Sequence, residues 1–231
     1  MDYLNLIGIE RWSLRNDRSN NLGVSEGSSS AVKQASQEPS LPYSDALVDT
    51  VVEQANVSDK GFESWQDYSD KFNNAKLCPN CGPQQSVLGQ GDKQAKWVFL
   101  VLSPESIASQ RILDGRSHQL FQNILSALGL EIGDVYQSCV YKCDPNIPKA
   151  CCDQFLHQEL DLLEPQNIVC FGEKVGSLVL RSNSTLHQMQ GRVHELKGSS
   201  VIITHDLREV LNKPSLKADL WRELQRLISI H

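Results

Sequence analysis

Four largely apolar runs mark the centre of this chain, each bounded by polar or turn-forming residues. The first is KWVFLVL at 96–102, a run with no alternation between apolar and polar positions. Such runs are typical of strands that are buried on both faces of a parallel sheet. The pattern therefore predicts four core strands, at 96–102, 135–141, 167–171 and 200–204.

Apolar residues at helical spacing lie between and around these runs. Ser44 and Ser64 stand where two helices that precede the first run would take a cap or a first-turn residue. The alternation of strand and helix predicts an α/β domain, with a central, mostly parallel sheet and helices on both faces. The predicted helices cover 45–55, 62–75, 118–128, 150–163, 173–181 and 216–230.

The first 42 residues differ in composition from the rest. Residues 16–42 are rich in Ser, Asn, Gln, Glu and Gly, so they bury too little apolar surface to order themselves and are predicted to be a flexible linker. Residues 1–15 form a short apolar segment ahead of it, predicted to be a partner-docking peptide. The alternative is a satellite helix on the chain's own α/β domain, which spans 43–231. The predicted anchors of the peptide are Ile9, Trp12, Leu14 and Arg15.

Composition and charge narrow the class of protein. The 231 residues are 40% hydrophobic and 22% charged, which is ordinary for a soluble globular chain. No run approaches the ~20 apolar residues that cross a bilayer, and the amino terminus lacks the features of a secretory signal. We therefore expect a cytoplasmic protein without membrane contact. The net charge of -6 argues against strong direct binding to nucleic acid.

Seven cysteines in a reducing compartment favour metal ligands, reactive thiols or small core residues over disulfides. Cys78 and Cys81 form a CPNC turn, a spacing that lets both thiolates reach one metal centre. Cys143 follows the second predicted strand, and Cys151 and Cys152 open the next helix. An iron-sulfur cluster, a zinc site and scattered core residues all fit this spacing. The cysteines predicted to be small buried residues inside strands are Cys139 and Cys170.

From about residue 77 to 227 the chain resembles the iron-sulfur uracil-DNA glycosylases. The matches occur in order, among them CPNC, DVYQSCVYKCDPN, CCDQFLHQELDLLEPQNIVCFGEKV and VIITHDLREVLNKPSL. The resemblance implies a three-layer α/β fold and a cluster, 4Fe-4S in type, with zinc as the alternative. Cys152 is preferred to Cys151 because of its distance from Phe155, and the segment between Cys143 and Cys152 is shorter than the usual family loop. The implied ligands are Cys78, Cys81, Cys143 and Cys152.

The segments that resemble the family's catalytic loops depart from its motifs. The Gly-Glu-x-Pro-Gly loop, which positions the water, is represented by LSPES at 102–106. GRSHQ at 115–119 lacks the Phe that stacks on uracil, and Cys139 replaces the Asn that reads it. Only His205 of the last catalytic loop is retained. These departures predict a scaffold without catalytic residues.

Both ends of the chain resemble the psi-subunit family of the bacterial DNA polymerase III holoenzyme. LIGIERWSLR, which contains Trp12, resembles its amino-terminal peptide, and a segment from Asp206 to Trp221 resembles its carboxyl-terminal pattern. The resemblance implies a non-enzymatic clamp-loader accessory subunit of DNA replication. Its peptide would bind the tau/gamma subunits of the loader. Its α/β domain would bind the chi subunit, and through chi the single-strand DNA-binding protein.

The alternative is a divergent iron-sulfur uracil-DNA glycosylase of base-excision repair. In that interpretation the catalytic groups are relocated, and Glu105, His205 and Asp206 are the candidates. Activity on uracil-containing single strands separates the two hypotheses, because only an enzyme leaves abasic sites.

Overall fold

The computed structural model describes residues 62–73, 86–143 and 152–229. Its strands are β1 (Gln90–Gly91), β2 (Trp97–Val101), β3 (Val135–Cys139), β4 (Asn167–Phe171), β5 (His194–Leu196) and β6 (Ser199–Thr204). Its helices are α1 (Trp65–Asn73), α2 (Gly115–Leu128), α3 (Cys152–Leu163), α4 (Glu173–Val179), α5 (Leu186–Met189), α6 (Leu207–Asn212) and α7 (Lys217–Ile228). Two 3-10 turns, Ile132–Asp134 and Pro214–Leu216, precede β3 and α7.

The six strands form one sheet in the order β1-β3-β2-β4-β6-β5. The four central strands are parallel, and the edge strands β1 and β5 pair antiparallel with β3 and β6. Val98 of β2 pairs with Tyr136 of β3 on one side and with Ile168 of β4 on the other. The prediction of a mostly parallel central sheet is confirmed.

Each central strand is buried on both faces. Successive side chains point to opposite sides of the sheet, so neighbouring residues of one strand pack in different core clusters. Leu100 of β2 belongs to a core cluster that includes residues of α1, α3 and α4. Its neighbour Phe99 belongs to a second cluster that includes residues of α2, α6 and α7. We call these the α3-side cluster and the α2-side cluster. The sheet therefore lies between two helical layers, as the three-layer interpretation expects.

The four predicted strands and five of the predicted helices are confirmed, most with ends that differ by a few residues. Helix α2 begins at Gly115, three residues before its predicted start, because Asp114 caps it by accepting a hydrogen bond from the Gly115 N–H. The predicted 62–75 helix is α1. The elements that the pattern did not predict are β1, β5, α5 and α6, all of six residues or fewer.

The other predictions for the amino-terminal part of the chain fall outside the described residues. These are the helix at 45–55, the docking peptide at 1–15 and the linker at 16–42. They stay predictions. In the ranges that the structure describes, no helix is both long and apolar enough to span a bilayer.

Close packing of α4 on the sheet depends on a glycine. A Cβ added to Gly176 would lie 2.6 Å from the Cγ1 atom of Ile203 on β6. We expect Gly176→Val to lower the free energy of unfolding by roughly 1–3 kcal/mol, since overpacking forces the sheet and the helix apart. Urea denaturation measures this loss. In Gly133→Ala, where a Cβ meets nothing within 4 Å, the midpoint should hardly move, and equal losses in the two variants would contradict the packing account.

Candidate functional site

The sheet has a topological switch point between β2 and β4. The helix after β2 is α2, which packs in the α2-side cluster, whereas α4 after β4 packs in the α3-side cluster. In open α/β sheets ligands bind in the crevice that such a divergence opens at the carboxyl ends of the strands. A cavity of about 100 Å³ lies at this edge. Its lining residues are Val101, Leu102, Ser103, Glu105, Leu113, Asp206, Leu207 and Arg208.

Glu105 lies in the loop after β2 and is fixed by two hydrogen bonds. Its Oε2 atom accepts one from the backbone N–H of Asp114 at 2.7 Å, and its Oε1 atom accepts one from Nε of Arg208 at 2.9 Å. The side chain of Glu105 is 14% exposed. The Gly115 N–H and then the Arg111 guanidinium hold the pKa of the Asp114 carboxyl below its ordinary value. The loop after β2 is thus tied to the first turns of α2 and α6.

Asp206 follows β6 and caps α6. Its Oδ1 atom accepts a hydrogen bond from the Arg208 N–H at 2.8 Å, which satisfies a donor of the first helical turn. A Cβ added to Gly172, at the end of β4, would lie 3.8 Å from the other oxygen, Oδ2. The φ of +103° at Gly172 favours glycine. The absence of a side chain at Gly172 therefore leaves space beside the Asp206 carboxylate.

His205 does not join the two carboxylates. It is not among the residues that line the cavity. Its Nδ1 atom lies 3.5 Å from Oε2 of Glu209 on α6. The structure therefore brings together two of the three candidates of the glycosylase interpretation, Glu105 and Asp206, and places His205 outside the cavity lining.

The two positions that match the family's uracil-binding residues, Cys139 and the 115–119 segment, also lie outside the cavity lining. Cys139, in place of the uracil-reading Asn, is fully buried in the α2-side cluster, with its Sγ atom 3.8 Å from the carbonyl oxygen of Val87. The 115–119 segment is the first part of α2 and supplies no ring. No lining residue is aromatic, so the apolar walls of the cavity are aliphatic, chiefly Leu102, Leu113 and Leu207.

A larger cavity lies at the other edge of the sheet. Its volume is about 520 Å³, and it opens beside the amino ends of β4 and β6. Lys197 and Asp161, both lining residues, form an exposed ion pair at 2.5 Å. This edge carries no switch point, so we place the functional site at the carboxyl edge despite the smaller volume there.

Cys143 is the only proposed cluster ligand whose side chain the structure describes. It is 1% exposed and lies in the α3-side cluster. Ser86 forms an antiparallel bridge with Cys143, and the Val87 N–H donates to the Lys142 carbonyl at 2.7 Å. Helix α3 begins at Cys152, whereas Cys78, Cys81 and Cys151 lie outside the described residues. Within the described ranges, no group of three or more metal-ligating side chains occurs.

The two cysteines predicted to be small core residues are buried. Cys139 lies in the α2-side cluster and Cys170 in the α3-side cluster, and both are fully buried. Burial raises the pKa of the Cys170 thiol well above its ordinary value, which keeps it protonated and unreactive. This prediction is confirmed.

A buried polar network beside Cys143 was not predicted from the sequence. Glu159 of α3 and Lys142 are 0% and 1% exposed, and Lys142 Nζ lies 2.6 Å from Glu159 Oε2. Tyr136 donates to Oε1 and Ser138 to Oε2 of the same carboxylate, each at 2.8 Å. Burial and the Glu159 charge raise the pKa of Tyr136 far above its ordinary value. The available signal was the position of Glu159, between Phe155 and Leu160 on the apolar face of α3.

The three-layer fold and its carboxyl-edge cavity define an α/β protein with a candidate site at a switch point. The chain belongs to the uracil DNA glycosylase superfamily, whose family model matches residues 88–225. It is 25% identical over 161 residues to the type-4 uracil-DNA glycosylase of Archaeoglobus fulgidus, covering 61% of this chain and 79% of that protein. It is also 25% identical over 170 residues to the type-4 uracil-DNA glycosylase of Pyrobaculum aerophilum, covering 64% and 87%.

These comparisons correct the prediction of a psi-like accessory subunit. Neither the family model nor these relatives is a clamp-loader subunit, and the relatives are enzymes that by name act on DNA. The predictions of a non-enzyme, of the tau/gamma and chi partners and of little direct contact with nucleic acid are therefore wrong. The docking residues Ile9, Trp12, Leu14 and Arg15 lie outside the described residues. Their role as a docking peptide stays a prediction, without an identified partner.

Proposed function

We propose that this protein is a divergent uracil-DNA glycosylase that removes uracil from DNA in base-excision repair. The observation that carries the proposal is the pair of carboxylates, Glu105 and Asp206, in one cavity at the carboxyl edge of the superfamily domain. Glycosylases must extrude the base into a pocket and stabilise the charge that develops on the sugar. The aliphatic walls and the two carboxylates of this cavity support an assignment of these two roles to it.

The two carboxylates have different roles in the proposed hydrolysis of the glycosidic bond. Water adds to the sugar C1′ as the bond from C1′ to uracil N1 breaks, and the base leaves with the electron pair. Asp206 uses Oδ1 to cap α6, so Oδ2 is the atom that we assign to hold the water and accept its proton. Glu105, fixed by its two donors, stabilises the positive charge on the sugar. The departing uracil takes a proton from solvent.

Arg208 adds a positive charge at the entrance. Its side chain is 60% exposed and pairs with Glu105. An exposed guanidinium beside the pocket suits a phosphate contact, which orients the strand without reading its sequence. Leu102, Leu113 and Leu207 would hold the flipped base by apolar contact in place of the ring that the family uses.

The direct test is excision of uracil by the purified full chain. A labelled single-stranded oligonucleotide with one uracil is incubated with protein and then cleaved at abasic sites with alkali. We expect cleavage at the uracil and none in the same strand with thymine. Intact uracil strands, single and double, at protein in excess over DNA would overturn the proposed function.

We further propose that Cys78, Cys81, Cys143 and Cys152 hold an iron-sulfur cluster of the 4Fe-4S type, with zinc as the alternative. The described chain ends at residue 73 and resumes at Ser86, which pairs with Cys143. Phe72, just before this gap, lies in the same core cluster as Cys143. Ser86 stands five positions after Cys81, a reach of at most about 17 Å. The first described residue after the CPNC segment therefore lies beside Cys143.

The chemistry of this donor set fits such a group, because four thiolates are the usual ligands of iron-sulfur clusters and of structural zinc. When bound, the group supplies a covalent link between the CPNC segment, Cys143 after β3 and the start of α3. A link of this kind stabilises the folded chain. Glycosidic hydrolysis needs no electron transfer, so we assign the cluster a structural role.

Substitution of one proposed ligand tests this assignment. We expect Cys143→Ser to lower iron content and the thermal midpoint together, because binding of the metal contributes to folding. Cys170→Ala, which removes a buried thiol of the same core cluster, should keep its iron. Elemental analysis of anaerobically purified protein measures iron and zinc on one sample. Full iron in Cys143→Ser would remove this cysteine from the ligand set.

A further inference from the structure

We propose that the buried Lys142–Glu159 ion pair is a positioning device for the cluster, because it fixes the strand end that carries Cys143 against the helix that begins at Cys152. The inference rests on the cofactor assigned under the proposed function. Lys142 directly precedes Cys143, and Glu159 stands seven residues, or about two helical turns, after Cys152. The ion pair therefore joins the two chain segments that supply the second pair of ligands.

The hydrogen-bond pattern determines how α3 sits on the sheet. Glu159 accepts from Tyr136, Ser138 and Lys142, which all belong to β3 or to the residues just after it. Lys142 Nζ also donates to Ser138 Oγ at 2.5 Å. Apolar contacts between Phe155 or Leu156 and the sheet are non-directional and tolerate small shifts. Directed bonds from three groups to one buried carboxylate do not.

Gly89, the residue before β1, packs against the same network. A Cβ added to Gly89 would lie 2.2 Å from the Tyr136 hydroxyl oxygen and 2.4 Å from Glu159 Oε1. The neighbouring Val87 N–H donates to the Lys142 carbonyl at 2.7 Å. The described residues just before β1 thus meet the residues after β3 and helix α3 around one carboxylate. A shift of α3 relative to β3 would alter the distances between their thiolates.

Release of iron to a chelator tests positioning separately from global stability. Anaerobic protein is mixed with the ferrous chelator bathophenanthroline disulfonate and dithionite, well below the thermal midpoint of each variant, and iron release is followed by absorbance. We expect Glu159→Gln to release iron about tenfold faster or more, the usual size of an outer-shell effect on a metal site. Tyr136→Phe, which removes one hydrogen bond to Glu159, should accelerate release about threefold.

The matched control is Leu224→Ala, which truncates a fully buried side chain of α7 in the α2-side cluster. It destabilises the fold in the core cluster that does not contain Cys143, so its iron should leave at the wild-type rate. Equal acceleration in Leu224→Ala and Tyr136→Phe would overturn the positioning role. Wild-type protein that never contains metal would overturn the cofactor and the inference with it. Wild-type protein that excises no uracil, in variants of which iron release changes as expected, would overturn only the proposed function.

Discussion

Lys142→Met is expected to lower the free energy of unfolding by about 3–5 kcal/mol, because it leaves the Glu159 carboxylate buried without its cation. Both side chains are almost fully inaccessible to solvent, with Lys142 1% and Glu159 0% exposed. Tyr136 and Ser138 still donate to the carboxylate, but neutral donors do not balance its charge. Urea denaturation followed by far-ultraviolet circular dichroism measures the loss.

A second substitution distinguishes a lost ion pair from a lost packing contact. In Lys142→Met with Glu159→Leu no buried charge remains, and buried ion pairs replaced by apolar residues of similar volume are often neutral. We therefore expect the double variant to be more stable than Lys142→Met alone. A double variant as unstable as the sum of the two single variants would contradict this account.

An exposed ion pair provides the control for charge removal. Lys197 and Asp161 are 63% and 49% exposed, and such pairs contribute about 0–1 kcal/mol. Lys197→Met should therefore change the stability by no more than that. A loss as large as that of Lys142→Met would mean that removal of a lysine, whatever its burial, destabilises the chain.

The central sheet could be predicted from the sequence because burial on both faces leaves an uninterrupted apolar run. KWVFLVL at 96–102 became β2, and NIVCF became β4 without any change of boundary. The edge strands β1 and β5 contain two and three residues, too few for periodicity to be recognised. Their pairing is decided by tertiary contacts with β3 and β6, which a local pattern does not contain.

The candidate site could be predicted in part. Glu105 and Asp206 stand in loops after predicted strands, and parallel strands bring such loops to one edge. His205 is adjacent to Asp206 in sequence but does not line the cavity, and sequence adjacency does not fix side-chain direction. The Lys142–Glu159 pair was missed because its partners are 17 residues apart in different elements. A single acid on an apolar helix face indicates a buried partner without identifying it.

The psi-like prediction was wrong because it gave more weight to the departures from the catalytic motifs than to the family resemblance, which the family model and the relatives support. Cys139 and the 102–106 loop depart from the family's catalytic residues, and each departure removes a specific contact. The cavity at the carboxyl edge nevertheless contains two carboxylates, to which the proposed function assigns the hydrolysis. The psi resemblance also relied on residues 1–15, which lie outside the described structure, and the comparisons do not support it.

Asp206→Asn is expected to lower the rate of uracil excision by about 10²–10³-fold, since loss of one preorganised electrostatic contact costs that much in other enzymes. Asn caps helices as well as Asp does, so α6 should keep its first turn. The substitution therefore removes the charge and the proton acceptor while preserving the fold. Single-turnover kinetics on a uracil-containing single strand, with protein in excess, measure the step directly.

Asp134→Asn is the matched control. Asp134 lies in the 3-10 turn before β3, at the opposite edge of the sheet, and its Oδ2 atom accepts a hydrogen bond from the Glu131 N–H. It therefore shares with Asp206 the role of binding a backbone N–H group, but it is remote from the cavity. Asp134→Asn should excise uracil at the wild-type rate. If Asp206→Asn does so as well, hydrolysis does not use this carboxylate, and Glu105 becomes the residue to test.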